Sequence, residues 1–179
     1  MAFLPKNYKA PLSAGGYMKL QDGENIFRIL SSAITGYSYW TTENKPVRGK
    51  EPFITIPSNI RLKDDGFPTP IKHFWAFVVW NYNSGALEIM EITQTSIQNF
   101  MLAYVNDKQW GDPKEYDIKI NRTGAGLETK YTVIASPHAP AVLEITKAYA
   151  DKPINLKALY EGGNPFEVKS NLSVEDIKF

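Results

Sequence analysis

The chain has 179 residues with 43% hydrophobic and 13% aromatic content, 20 basic against 19 acidic side chains, two histidines and no cysteine. That length fits one domain able to bury about 70% of its unfolded surface, so no covalent staple is required. The missing cysteines exclude disulfides, thiolate zinc sites and cysteine nucleophiles, and they fit a reducing cytoplasm.

Residues 1–16 are punctuated by Pro, Lys and Gly and read as an N-terminal arm without the apolar core of a secretory signal. Ile26–Leu30 is a β-type run that continues past Gly36 into Tyr37-Ser38-Tyr39-Trp40. Pro46, Gly49, Pro52, Pro57, Gly66, Pro68 and Pro70 then break the chain, so residues 41–70 read as a long loop with one edge strand, Phe53–Ile56. A hairpin follows, His73–Tyr82 and Ala86–Ile92 joined by Asn83-Ser84-Gly85, where Asn and Gly tolerate the positive φ of a tight turn. Thr95 or Ser96 can cap a helix whose spacing buries Ile97, Phe100, Met101, Tyr104 and Val105. A second hairpin pairs Tyr116–Asn121 with Thr129–Ala135, and residues 137–163 read as mostly helical. The expected organisation is an arm (1–16), a core domain (17–136), a helical extension packed on it (137–165) and a C-terminal tail (166–179), with no internal repeat.

This order of long strand, strand, strand, helix, strand, strand predicts a β-rich α+β fold of OB type. That fold is a five-stranded barrel with one helix between strands three and four and a long loop after strand one, and such barrels commonly bind oligonucleotides. The longest apolar run, Phe74–Trp80, is far too short for a membrane helix, which needs about 20 residues.

The segment Lys72–Tyr82 carries the most information. Alternation puts Lys72, Phe74, Ala76, Val78, Trp80 and Tyr82 on one face and His73, Trp75, Phe77, Val79 and Asn81 on the other, so both faces are aromatic. Either the 137–163 region or the long loop covers the second face, or that face is a platform on which bases stack. Basic side chains for phosphates stand nearby. Arg28 interrupts the first strand, and Arg48, Lys50, Arg61 and Lys63 punctuate the loop beside Tyr39, Trp40 and Phe53. Each of these charges, taken singly, also reads as a solvated surface residue. Glycines 124 and 126 join two strands rather than a strand and a helix, so they belong to a turn and not to a phosphate loop. Arg122 and Lys130 at that turn's shoulders are further phosphate candidates.

Catalytic chemistry is poorly supplied. Asp64-Asp65 and Glu88/Glu91 stand out among the close acidic pairs without forming a catalytic constellation, and Ser136 and His138 have no evident orienting acid. The expectation is a non-enzymatic protein with no cofactor and no metal.

Two stretches resemble the single-stranded-DNA-binding replication proteins of tailed bacteriophages. One is Trp110-Gly-Asp-Pro-Lys-Glu-Tyr-Asp-Ile-Lys-Ile-Asn-Arg-Thr-Gly-Ala-Gly-Leu-Glu-Thr-Lys-Tyr131. The other combines Gly23-Glu-Asn-Ile-Phe-Arg-Ile-Leu30 with Phe74-Trp-Ala-Phe-Val-Val-Trp80. The resemblance covers roughly residues 17–135. It implies an OB-fold, protection of single-stranded DNA during phage replication or recombination in the host cytoplasm, and contacts from Arg28, Trp75, Arg122 and Lys130. The end, Val174-Glu175-Asp176-Ile177-Lys178-Phe179, is similar to the acidic, phenylalanine-ended tip of bacterial single-strand-binding proteins, with Lys178 where that tip carries proline. It implies a partner-binding role for Glu175, Asp176, Ile177 and Phe179 toward replication or recombination proteins.

The expected DNA contacts are therefore Arg28, Tyr39, Trp40, Arg48, Lys50, Arg61, Lys63, Lys72, His73, Trp75, Phe77, Arg122 and Lys130, binding without sequence specificity. The competing expectation is a protein-interaction or structural accessory module whose aromatic face is a homodimer or partner interface.

Overall fold

The computed structural model describes residues 16–167, together with Phe3. One sheet holds β1 (Tyr17–Met18), β2 (Gly23–Ile29), β3 (Ile34–Trp40), β4 (Pro46–Gly49), β5 (Lys72–Asn81), β6 (Ala86–Ile92), β7 (Asp117–Thr123) and β8 (Lys130–Ala135). Helix α1 (Thr95–Asn106) lies between β6 and β7, and α2 (Leu143–Asp151) follows β8. A 3-10 segment, Leu156–Glu161, comes after α2.

The long first strand of the sequence reading is β2 followed by β3, both on the same side of β5. β3 runs against the first half of β5 (Ser38↔Lys72 to Ile34↔Ala76), and β2 against its end (Ile29↔Val79 to Phe27↔Asn81). The other edge of β2 pairs with β7, and β7 with β8. Serving different partners along its length forces this strand to bend.

The expected closed five-stranded barrel is not what forms. The sheet is mixed, eight-stranded and open. β1 occupies the outer edge of β6 in parallel register, and the Ile89 amide donates to the Gly16 carbonyl at 2.7 Å. Those are backbone groups that β8 would need to close a barrel, and among the described residues β8 pairs only with β7. The sheet is nevertheless strongly coiled. Arg48 of β4 reaches Glu91 of β6 at 2.7 Å although β3 and β5 lie between them in the strand order.

The expected edge strand at Phe53–Ile56 is irregular, and β4 takes its place as partner of β3. Their approach is close. A Cβ on Gly36 would run into the carbonyl oxygen of Gly49, a backbone atom that cannot swing aside. Gly36→Ala should therefore lower the unfolding free energy by about 1–3 kcal/mol, read as a shift of the urea midpoint. An unchanged midpoint would show that β3 and β4 can separate at no cost.

Both faces of β5 are core. Phe77 and Val79 join Phe27, Ile29, Met90, Ile92, Ile118 and Ile120 beneath α1. Phe74, Ala76 and Val78 pack with Leu87, Ile89, Leu156 and Leu159, so the C-terminal extension covers the second face. Phe166, placed in the tail by the sequence reading, also packs against this cluster. α1 turns Ile97, Gln98 and Met101 inward, while Phe100 and Val105 are exposed, contrary to the periodicity reading. Gln98 is drawn in because its side-chain amide donates to the carbonyls of Ile92 (3.0 Å) and His73 (3.2 Å).

Candidate nucleic-acid interface

The residues proposed from sequence divide into those that build the fold and those that face solvent. Arg28 belongs to the first group. Its side chain is 3% exposed, its Nε donates to Asp117 Oδ1 at 2.6 Å, and its Nη1 donates to the carbonyls of Ala139 (2.9 Å) and Lys114 (3.3 Å). The β2–β7 register sets Arg28 directly opposite Asp117, so the guanidinium locks two strands and the start of the extension. Phe77 is buried core. Tyr39 is also buried; its hydroxyl donates to Asn59 Oδ1 (3.1 Å) and its ring meets Phe53 edge-on at 5.1 Å. Arg48, with a side chain 11% exposed, is held by Glu91.

The solvent-facing group gathers on the arm between β3 and β5. Residues 40–41, 60–63 and 67–69 make a small irregular ribbon. Arg61 N–H donates to the Trp40 carbonyl (2.7 Å), Lys63 N–H to that of Phe67 (2.8 Å) and Thr69 N–H to that of Arg61 (2.8 Å), with bridges Thr41↔Ile60 and Leu62↔Pro68. Ile60 is buried and anchors the ribbon, and strand alternation puts Arg61 and Lys63 together on the opposite side. Asp65 and Gly66 make the turn. Asp65 Oδ1 accepts the Phe67 amide at 3.0 Å, and Gly66 takes φ +81, a conformation that L side chains rarely adopt.

Each cation on this ribbon sits over an exposed ring. The Arg61 guanidinium is 5.7 Å from the Trp40 centroid, and the Lys63 ammonium is 6.0 Å from that of Phe67. Trp40 is 46% and Phe67 67% exposed, so each ring keeps free surface beside its cation. Lys63 also lies 3.5 Å from Asp65, an exposed pair that water screens. Phe67 was absent from the sequence reading. Its signal was the Asp-Asp-Gly turn between Leu62 and Phe67, which marks a miniature hairpin able to return an aromatic beside Lys63.

A second cluster stands at the start of β5. The register sets Tyr37 opposite His73, with ring centroids 5.1 Å apart. Trp75 Nε1 donates to His73 Nε2 at 3.3 Å. His73 and Lys72 are exposed while Tyr37 and Trp75 are half-buried, and exposed Lys50 directly follows β4. Lys50, Lys72, His73 and Trp75 are among the contacts expected from the sequence, and Tyr37 is not.

Arg122 and Lys130 are not brought to these clusters. Arg122 pairs with Gly23, four residues along β2 from Phe27, which itself faces the far end of β5. The turn therefore sits at the opposite end of the sheet. Arg122 donates to the Leu20 carbonyl at 3.1 Å and lies 3.7 Å from Asp22, whereas Lys130 is exposed. Glu175, Asp176, Ile177 and Phe179 lie outside the described residues.

The acidic residues Asp65, Glu88 and Glu91 are engaged in the fold. Glu88 accepts from Asn81 and Ser84 (both 2.8 Å), Glu91 from Arg48, and Asp65 from the Phe67 amide. Among the described residues no group of three or more His, Asp or Glu side chains is arranged to hold a metal ion, and no helix is long and apolar enough to cross a membrane. Alternating aromatic and cationic groups two residues apart on a strand, about 6–7 Å, can meet successive nucleotides of an extended chain, with rings taking bases and cations taking phosphates.

No protein-family model matches the chain, and no solved structure does. Over 139 residues the chain is 24% identical to a protein of Escherichia phage T5 described as a probable ssDNA-binding protein. That match covers 65% of this chain and 53% of the phage protein, so the chain spans about half the length of the relative it matches.

Proposed function

We propose that the chain binds single-stranded DNA without sequence preference, and that it serves phage DNA replication or recombination. The observation that carries this reading is the ribbon on which Arg61 lies over Trp40 and Lys63 over Phe67, both rings remaining open to solvent. The description of the phage T5 relative supports the same ligand. Trp40, Phe67, Arg61 and Lys63 form the centre of the contact set, and Tyr37, His73, Trp75, Lys50 and Lys72 continue it along the sheet. Arg122 and Lys130 serve a longer strand as outer phosphate contacts. Arg28, Tyr39, Arg48 and Phe77 leave the set, because burial and existing partners occupy them. The tail residues Glu175, Asp176, Ile177 and Phe179 remain the proposed contact for replication or recombination proteins.

Stacking accepts any base because every base has a π-face, and it requires unpaired bases, so duplex DNA should bind less well. Titration with oligo(dT) at low salt should quench tryptophan fluorescence. Folded protein whose emission does not change, and which does not retard the oligonucleotide, refutes the proposal. Affinity should fall with salt, because each neutralised phosphate of a single strand contributes about −0.7 to the slope of log K against log salt. Changing Arg61 and Lys63 together to Gln should make that slope shallower by about 1.4. A slope that stays put would move the phosphate contacts elsewhere.

A further inference from the structure

Opposed residues of neighbouring strands share a face of the sheet. The pairs Gly36↔Phe74 and Ser38↔Arg48 therefore set Trp40 and Arg48 on the face that carries Phe74 and Ala76. β1 joins the same face, because Tyr17 stands opposite Ile89 of that cluster. The 2.7 Å ion pair from Arg48 to Glu91 draws β4 across to β6, and so toward β1. Two hollows of about 830 and 530 Å³ border this bridge, and Tyr17, Pro46 and Arg48 line both. Trp40, which pairs with Pro46, lines the larger. They form one groove that starts at the tryptophan of the ribbon and has Tyr17 on its far wall.

Tyr17 is 36% exposed, and Phe166 meets its ring at 6.0 Å and 89°, a contact that orients the ring without stacking on it. The exposed Lys152 carries its ammonium 5.4 Å from the Phe166 centroid, so a cation stands beside a ring here as it does twice on the ribbon. The acids on the groove's walls are already matched. Glu91 is held by Arg48, Glu43 by Lys45 at 3.1 Å, and Glu88 accepts from Asn81 and Ser84. That leaves ring surface and exposed lysine, with Lys19 on the wall of the larger hollow and Lys152 beyond Tyr17.

We propose that the groove carries the single strand onward from Trp40, with a following base stacked on the Tyr17 ring and a following phosphate at Lys152. The inference rests on the single-strand-binding reading and extends its contact set to β1 and the C-terminal extension. Phe166 is a positioning residue in this arrangement, since it touches Tyr17 and Lys152. No sequence preference is introduced, because a ring face accepts any base.

The test measures binding of labelled oligo(dT) of about 12 nucleotides by fluorescence anisotropy, a length within the roughly 4–16 that one such domain covers. Tyr17→Ala should weaken binding roughly 5- to 100-fold, the range of one lost stack, while Tyr17→Phe stays within about twofold of wild type because it keeps the ring. Lys152→Gln should make the slope of log K against log salt shallower by about 0.7, one phosphate contact of a single strand. Circular dichroism checks that each variant is folded. A folded Tyr17→Ala that binds within about twofold of wild type overturns the inference and leaves binding at the ribbon intact. An equal loss in Tyr17→Phe overturns it as well, because the ring is then not what holds the base. Should Tyr17→Ala fail to fold, Lys152→Gln decides, and an unchanged salt slope overturns the path through the groove. A wild-type chain that binds no oligonucleotide overturns the underlying function together with this extension of it.

Discussion

Replacing Trp40 and Phe67 together by alanine should weaken binding to oligo(dT) by about 2–4 kcal/mol, roughly 30- to 1000-fold, while the protein stays folded. Each base–aromatic stack is worth about 1–3 kcal/mol, and these two rings are the exposed members of the two cation–ring pairs. Their loss removes little packing, since both project from the ribbon rather than into either core cluster. The unfolding free energy should change by less than about 1 kcal/mol. Retardation of a labelled oligonucleotide measures affinity without relying on the tryptophan that has been removed. An affinity within threefold of wild type would take the stacking away from this ribbon and give it to the Tyr37–His73–Trp75 cluster.

Arg28→Met should have the opposite profile, a loss of about 3 kcal/mol in stability with unchanged DNA affinity per folded molecule. Removing one partner of a buried ion pair typically costs 3–5 kcal/mol, because the remaining charge is left without compensation. The lower end applies because Asp117 is 29% exposed and keeps the Tyr82 hydroxyl, which donates to its Oδ1 at 3.0 Å. That phenol holds its proton more tightly than usual, first through burial and then through its bond to Asp117. The carbonyls of Lys114 and Ala139 lose their donor as well. Urea unfolding reads the stability, and retardation at a concentration where the variant is folded reads the affinity. A stable variant that fails to bind DNA would return Arg28 to the contact set.

Local signals determined most of the elements. The β5–β6 hairpin, the helix between β6 and β7, the β7–β8 hairpin and the split long strand all follow from residue periodicity and turn chemistry. These are short-range properties, set by how a few neighbouring residues alternate or turn. Trp40, Arg61 and Lys63 were named from the interleaving of charges and rings along the chain, and the structure sets them on one ribbon. Phe67 was not, because its position beside Lys63 depends on the φ of Gly66 and on one side-chain bond from Asp65.

What only the tertiary structure decided is which apolar and charged residues end up inside. An aromatic strand looks the same in sequence whether its second face meets bases or the body of the protein. Leu156 and Leu159, more than seventy residues beyond β5, turn Phe74, Ala76 and Val78 into core. Arg28 reads as a free cation until the register places Asp117 across from it, 89 residues away. Barrel closure likewise turned on which strand reached the free edge of β6, and there the two-residue β1 stands. Burial and pairing of this kind are collective. They are set by long-range register and by competition for unpaired backbone groups, neither of which is encoded in the residues nearby.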